Sequence, residues 1–548
     1  MKKHKIGKLF KGLKKKEKGV IVIIAAVLLP VFLVLTGMSI DLYRASTIDS
    51  LLSYAVDAAA VAAARYDKAT ATKVFYANYT NGYNGVTVTP TITISTDNST
   101  GAVTANVSAN GTMPTIFSGF AGVKNLRVSA ASSASKNIEG LELALVLDVT
   151  GSMAWPDSQG LSKIEALRTA TTNLINILYG TDANGNINST RHNTTVSILP
   201  FVAAVNVGTN NIAWVTASKL PPFSSLVLPN QNTSTSSKEL WLGSYTPTSA
   251  AVGNVGGCVF ARGPNGEDAN ADASILTGGT FDPYFAVSTD PSGNSSTVSD
   301  NDWTVASPPI KVSVPSGHTI PDGVNGTDFV SLGPNRSCGP PITMPINNSA
   351  TLLNAVQQLV PVYGGGTFGN VGLSWGWRAI SPNWVGFWGS GATISGQTSP
   401  LPYSATNNKK VIIYMTDGTN NWNNAKNINT GEPTAYGNVP NNPTANNNLS
   451  GNTLGINNSG AGQGVMDAKV TNLCTTIKNA AGTGNSPITI YTIQINTQGA
   501  GNTNLTLQNC ASTDKNGNQL YTLALTGNEL IDTFNSIASQ LNVITITQ

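Results

Sequence analysis

The chain has 548 residues and a formal net charge of +3, and only 11% of them are charged, against about 25% in typical globular domains. Nine lysines and one acid fall within residues 2–18, so the remainder holds 22 basic and 27 acidic residues and is net negative by 5. This balance argues against a nucleic-acid-binding body; Asn, Thr, Ser and Gly solvate the surface instead, a composition that suits an extracytoplasmic protein.

Behind the basic tail (1–19), Val20–Ile40 is a run of 21 residues without a charge. As a helix it spans about 31 Å, close to a bilayer's hydrocarbon thickness. The lysines predict a cytoplasmic N-terminus. A cleaved signal peptide has a shorter apolar core of about 7–15 residues. Here Asp41-Leu42-Tyr43-Arg44 follows directly, so a retained transmembrane anchor is expected over 20–40. Pro30 sits mid-span, where a membrane helix tolerates a kink. From Asp41 to about Tyr66, Leu52, Val56, Ala59 and Ala63 recur at helical spacing. Gly85–Ala134 then changes period. Val86–Thr89 and Thr91–Ile94 alternate apolar and hydroxyl residues, and Val103–Val107 and Leu126–Val128 continue the pattern, predicting a small antiparallel sheet.

Further strands are expected at 142–147, 194–200, 410–415 and 487–495, and helices at 162–178, 368–380, 464–480 and 528–541. Two of the strands end alike. Leu143–Leu147 stops at Asp148-Val149-Thr150-Gly151-Ser152, a carboxylate followed by two hydroxyls at spacing two. Val411–Met415 stops at Thr416-Asp417-Gly418. Oxygen donors delivered to the C-terminal edge of a sheet suit a hard divalent cation such as Mg²⁺. Residues 207–345 interrupt the pattern; they are rich in Pro, Gly, Ser and Asn and too long for a structureless loop, so an inserted β-rich subdomain is expected. A second loop, Thr419–Gly462, is dominated by asparagine and follows Asp417 directly, where partner specificity would lie.

The Asp-x-Thr-Gly-Ser and Thr-Asp-Gly pair, with Gly365-Gly366-Thr367-Phe368-Gly369-Asn370 between them, resembles the metal-ion-dependent adhesion site (MIDAS) of von Willebrand factor A domains. The resemblance implies an α/β fold with a doubly wound, mostly parallel sheet over 138–206 and 346–548. It implies that Asp148, Thr150, Ser152, Thr367 and Asp417 surround Mg²⁺, alternatively Ca²⁺ or Mn²⁺, some through water. A partner's Asp or Glu carboxylate would complete the shell. The anchor, Ile40-Asp41-Leu42-Tyr43-Arg44-Ala45 and the alanine-rich Asp57–Ala64 resemble TadG-type proteins of bacterial Flp (tight adherence) pilus systems. Those proteins join a pilin-like helix-plus-sheet region, here 41–137, to an A-type domain. Ile24 stands where a prepilin carries glutamate, so the resemblance implies an accessory component and not a cleaved major pilin.

The expectation is a cell-envelope protein with a single pass in the inner membrane and a periplasmic or surface-exposed body. Its partner would be a protein, either a pilus component or a surface ligand, bound in pilus assembly or adhesion. A scaffold or chaperone for pilus subunits is the alternative, and a metal-dependent hydrolase ranks last. No enzyme is expected: Gly-x-Ser-x-Gly, His-Glu-x-x-His and phosphate-loop motifs are missing, and His4, His192 and His318 have no partner in sequence. Four cysteines outside the cytoplasm favour disulfides. Of three pairings, Cys258–Cys338 (closing the insert) and Cys474–Cys510 (tying a late helix to the segment after the last long strand) are favoured. Asp182–Asn186 and Asp514–Asn518 begin like calcium loops but lack the later glycine and glutamate, so Asx turns are expected. The aromatics Trp375, Trp377, Trp384, Phe387 and Trp388 are expected to be partly buried against the insert, with Trp375 and Trp377 unable to face inward together. Glu267, Asp268 and Asp272 read as a solvated face.

Overall fold

A computed structural model describes residues 17–97, 102–137, 139–180, 186–191, 193–216, 257–262, 271–284, 338–362, 366–418, 420, 432–439, 459–496, 503–541 and 545–547. The chain divides into two units, 1–138 with 544–548, and 139–543. The three histidines, Glu267, Asp268, most of 182–186, most of the asparagine-rich loop and much of 207–345 lie outside the described residues.

The smaller unit is built on one helix, α1 (Glu17–Arg65), of 49 residues. It is followed by α2 (Lys68–Asn78), whose start is set by Asp67 accepting from the Thr70 amide at 2.6 Å. Three antiparallel strands come next, β1 (Thr91–Thr96), β2 (Val103–Pro114) and β3 (Asn125–Asn137). The terminal strand Thr545–Thr547 pairs with β3, an addition the sequence did not announce. Small residues let α1 lie close to the sheet: Ile48, Leu52, Val56, Ala59, Ala60 and Ala63 form one core with Ala105, Val107, Ala109, Val128 and Ala134. The expected strand Val86–Thr89 does not form. Side chains of α2 and of the turn after it take up its backbone instead: Asn81 accepts from the Val88 amide, and the Tyr79 and Tyr76 hydroxyls donate to the carbonyls of Val86 and Val88. Before its packed portion, α1 leaves Val27, Leu29, Phe32 and Leu33 more than 60% exposed. It is long and apolar enough to cross a bilayer.

The larger unit is a three-layer α/β structure. In chain order it contains β4 (Gly140–Asp148), α3 (Lys163–Tyr179), β5 (Thr194–Phe201), β6 (Val205–Asn206), β7 (Cys258–Val259), β8 (Thr343–Ile346), α4 (Ser349–Gln357) and α5 (Gly369–Ile380). Then come β9 (Asn408–Thr416), α6 (Ser459–Asn479), β10 (Thr489–Ile495), α7 (Leu505–Cys510), β11 (Tyr521–Ala524) and α8 (Gly527–Leu541). The main sheet runs β11-β10-β9-β4-β5-β8, parallel throughout except for the edge strand β8. Counted along the chain, its order is 3-2-1-4-5-6, and the winding reverses between β4 and β9. Every residue of β4 is buried, as a strand covered on both faces requires. Leu143, Leu145 and Leu147 point to the layer of α3, α4 and α8; Ala144 and Val146 point to that of α5, α6 and α7.

Helix α5 is buried over all twelve residues. Cβ atoms at Gly372 and Gly376 would collide with Phe201 and Val146, so glycine here lets the helix sit directly on β5 and β4. Its other side is covered by described parts of 207–345: Trp214 stacks on Trp375 at 6.1 Å, and Phe281 lies 4.9 Å from the same ring. This cover corrects the expectation for the two tryptophans. Trp375 and Trp377 are 1% and 3% exposed, because Tyr403 receives the Trp377 indole N–H on the further side. Trp384 and Trp388 are buried too. Asp272 is also corrected: it is buried, accepting from Ser381 Oγ and Asn383 Nδ2 at 2.7 and 2.8 Å. Residues 343–345, expected inside the insert, form the sheet's edge together with Ile346. Both favoured disulfides are present. Asp514 accepts from the amides of Asn516 and Asn518, an ordinary Asx turn.

Candidate metal centre

Parallel register sets Met415 of β9 beside Leu147 of β4, so the next residues, Thr416 and Asp148, end their strands together. They do so where the strand order reverses, the place at which open α/β sheets hold ligands. Asp148 is fully buried. Its Oδ2 accepts from Thr416 Oγ1 at 2.6 Å and its Oδ1 from the Thr150 amide at 2.8 Å. Beyond it the chain makes a 3₁₀ turn, Gly151–Ala154, which brings the hydroxyls of Thr150 and Ser152 within 3.2 Å of each other. Ser152 Oγ donates to Asp417 Oδ1 at 2.9 Å. Four of the five expected residues are therefore joined directly, across 265 positions of sequence.

Thr367 is buried and tied to the same rim through its neighbours. The Phe368 amide donates to the Val202 carbonyl at 3.1 Å, just after β5. The Gly369 amide donates to Asn420 Oδ1 at 3.0 Å, three residues past Asp417, and Asn420 Nδ2 donates to Asp467 on α6 at 2.7 Å. On the other flank the Val362 amide donates to the Val149 carbonyl at 2.7 Å. The loop bearing Ser152 is held by Asp157, which accepts from the amides of Gln159, Leu161 and Gly527.

Sequence reasoning missed Lys163. The box of Ser162 and Glu165 starts α3, and Lys163 is its first helical residue. From there its Nζ reaches Asp417 Oδ2 at 2.7 Å, with both side chains about 5% exposed or less, and lies 5.7 Å from the ring of Trp155. A lysine opening a helix carries no sign of a carboxylate 254 residues away.

Neighbouring oxygens of an octahedral Mg²⁺ shell lie about 2.9 Å apart. The Thr150–Ser152 and Ser152–Asp417 separations, 3.2 and 2.9 Å, match that edge. Ser152 spends its hydrogen on Asp417, leaving its lone pairs for another acceptor of electrons. Burial first, and the nearby Asp417 charge second, push the Asp148 carboxyl up, as two close carboxylates with too little positive charge must. The oxygens of Thr150, Ser152 and Asp417 thus have the spacing that such an ion requires.

No protein-family model matches the chain, and no curated protein matches it. Among solved structures, it is similar to the pilus adhesin SpaC from Lactobacillus rhamnosus GG, at 12% identity and a TM-score of 0.30 over 83% of this chain and 34% of that one. It is similar to the PilB minor pilin from Streptococcus sanguinis at 12% identity and a TM-score of 0.29, over 84% of this chain and 79% of that one. The chain thus spans about a third of the adhesin's length. Such scores fall short of a shared fold.

Proposed function

We propose that this chain is a non-enzymatic, membrane-anchored envelope protein of the TadG type, whose A-type domain binds a divalent cation and, through it, a carboxylate of a protein partner in pilus assembly or adhesion. Asp148, Thr150, Ser152, Thr367 and Asp417 would hold Mg²⁺, with Ca²⁺ or Mn²⁺ as alternatives. The reading is carried by the linked oxygens of Thr150, Ser152 and Asp417 at octahedral spacing, at the point where the strand order reverses. The 3-2-1-4-5-6 order with its third strand antiparallel supports the A-type resemblance, and the exposed apolar start of α1 supports the anchor. Bound mostly by neutral hydroxyls, the ion would keep enough charge to attract an acidic group. Lys163 competes with it for Asp417.

Lys163 also favours a second reading, in which the ammonium is the permanent cation of the rim and no metal enters. Calorimetric titration of the full chain with Mg²⁺ separates the two. Metal binding predicts one ion per chain, loss in Asp417→Ala and tighter binding in Lys163→Met. No heat from wild type, with binding only once Lys163 is replaced, selects the second reading. No binding by either protein rejects the metal site altogether.

A further inference from the structure

The loop joining β2 to β3 is pinned to α1 at the end of the proposed membrane span. Asp41 is buried and accepts from the amides of Ile116, Phe117 and Ser118 at 3.0, 2.8 and 2.7 Å, and from Ser118 Oγ at 2.9 Å. One turn earlier, Gly37 is buried beneath Phe117, and a Cβ there would collide with that ring. Gly37 lies within the apolar run that ends at Ile40, about 4.5 Å inside its boundary at 1.5 Å per residue. The loop is therefore held at and below the level where the span meets water.

What the loop presents at that level is apolar. Phe120 is 82% exposed, Ile116 56% and Val123 39%. Lys124 at the base of the loop and Arg127, the third residue of β3, are exposed and basic. Tyr43, 75% exposed on α1 two residues past Asp41, stands at the same height. Apolar side chains flanked by aromatic and basic groups are the composition of a segment lying about 5–10 Å into a bilayer interface. A water-facing loop would gain nothing from three exposed apolar residues beside a hydrocarbon surface.

We propose that the loop Thr115–Lys124 enters the outer leaflet beside α1, with Ile116 and Phe120 among the acyl chains and Lys124 and Arg127 at the anionic headgroups. This rests on the reading of α1 as a membrane anchor. The loop then fixes the depth and tilt at which the helix leaves the bilayer, so that the helix and the sheet rise from the membrane as one body.

All four native cysteines are in disulfides, so single new cysteines can be labelled with the fluorophore NBD. The full chain is reconstituted in phosphatidylethanolamine–phosphatidylglycerol vesicles with and without a lipid carrying a nitroxide at a shallow acyl position. Labels at Phe120→Cys and Ile116→Cys are expected to lose emission to the nitroxide, as does Val27→Cys within the span. Thr96→Cys is not expected to, since its partner Val103 lies at the far end of β2, eleven residues from Pro114. Quenching at 27 without quenching at 116 and 120 overturns the loop insertion and leaves the anchor standing. No quenching at 27 overturns the anchor itself.

Discussion

A buried carboxylate–lysine pair lies at each end of strands β4 and β9, and the two ends are built to opposite plans. At the N-terminal end Glu142 meets one lysine, Lys410, and three further donors: Ser399 Oγ at 2.6 Å, the Leu401 amide at 2.8 Å and Asn408 Nδ2 at 3.0 Å. Lys410 also donates to the Ile380 carbonyl at 2.7 Å. Charge is balanced and every lone pair of the carboxylate is used. At the C-terminal end there are two carboxylates, Asp148 and Asp417; the lysine, Lys163, pairs with Asp417, while Asp148 takes the Thr416 hydroxyl and the Thr150 amide, and the nearest neighbours are hydroxyls with lone pairs to spare. Burial is nearly the same at both ends. What differs is the ratio of negative charge to donors. The first end is a closed lock for the segment 399–410; the second is one positive charge short.

That contrast is open to direct attack. Glu142→Ala leaves Lys410 buried and uncompensated, and is expected to destabilise the larger unit by about 3–5 kcal/mol in chemical denaturation, with no recovery on adding Mg²⁺. Lys163→Met makes the same kind of break at the other end. It is expected to cost about 3 kcal/mol in EDTA, and millimolar Mg²⁺ is expected to restore most of that loss. Equal behaviour of the two variants toward Mg²⁺ would erase the distinction drawn between the ends.

Asp41 sharpens the comparison with a third buried carboxylate, satisfied by amides instead of a lysine. Burial alone would raise its carboxyl, but the hydrogen bonds from Ser118, Ile116 and Phe117 outweigh it and hold it well below the usual carboxylate range. A depressed group stabilises the fold above the pH at which the unfolded carboxylate ionises, about 4, and that contribution is lost as pH falls below it. Asp41→Asn is expected to cost about 1–3 kcal/mol at neutral pH. Hydrogen exchange at Ile116, Phe117 and Ser118 should then accelerate, and the loss of protection below pH about 4 expected of the wild type should flatten. The smallest effect is expected for Ser152→Ala, about 1 kcal/mol of stability in EDTA, together with weaker Mg²⁺ binding by calorimetry.

Much of the larger unit was legible because its central strands are continuous apolar runs. Leu143–Leu147 and Val411–Met415 have no other way to be buried, and their carboxylate endings mark the rim. Short elements were not legible: β8, α4, α7 and β11 have too few residues to establish a period, and each is defined by what it packs against. The tryptophans of α5 failed for a related reason, since one-sided burial is the wrong rule for a helix covered on both sides. Lys163 could not be found from sequence at all. Its position follows from the Ser162–Glu165 box and from the loop held by Asp157, and only the folded chain aims it at Asp417.

The decisive measurement is anomalous X-ray scattering from crystals of the full chain grown in detergent with saturating Mn²⁺. A single strong peak is expected about 2.2 Å from Ser152 Oγ and beside Asp417, with the Lys163 ammonium displaced from its carboxylate. A rim without a peak, and Lys163 still seated on Asp417, would mean that the lysine is the only cation this protein uses there.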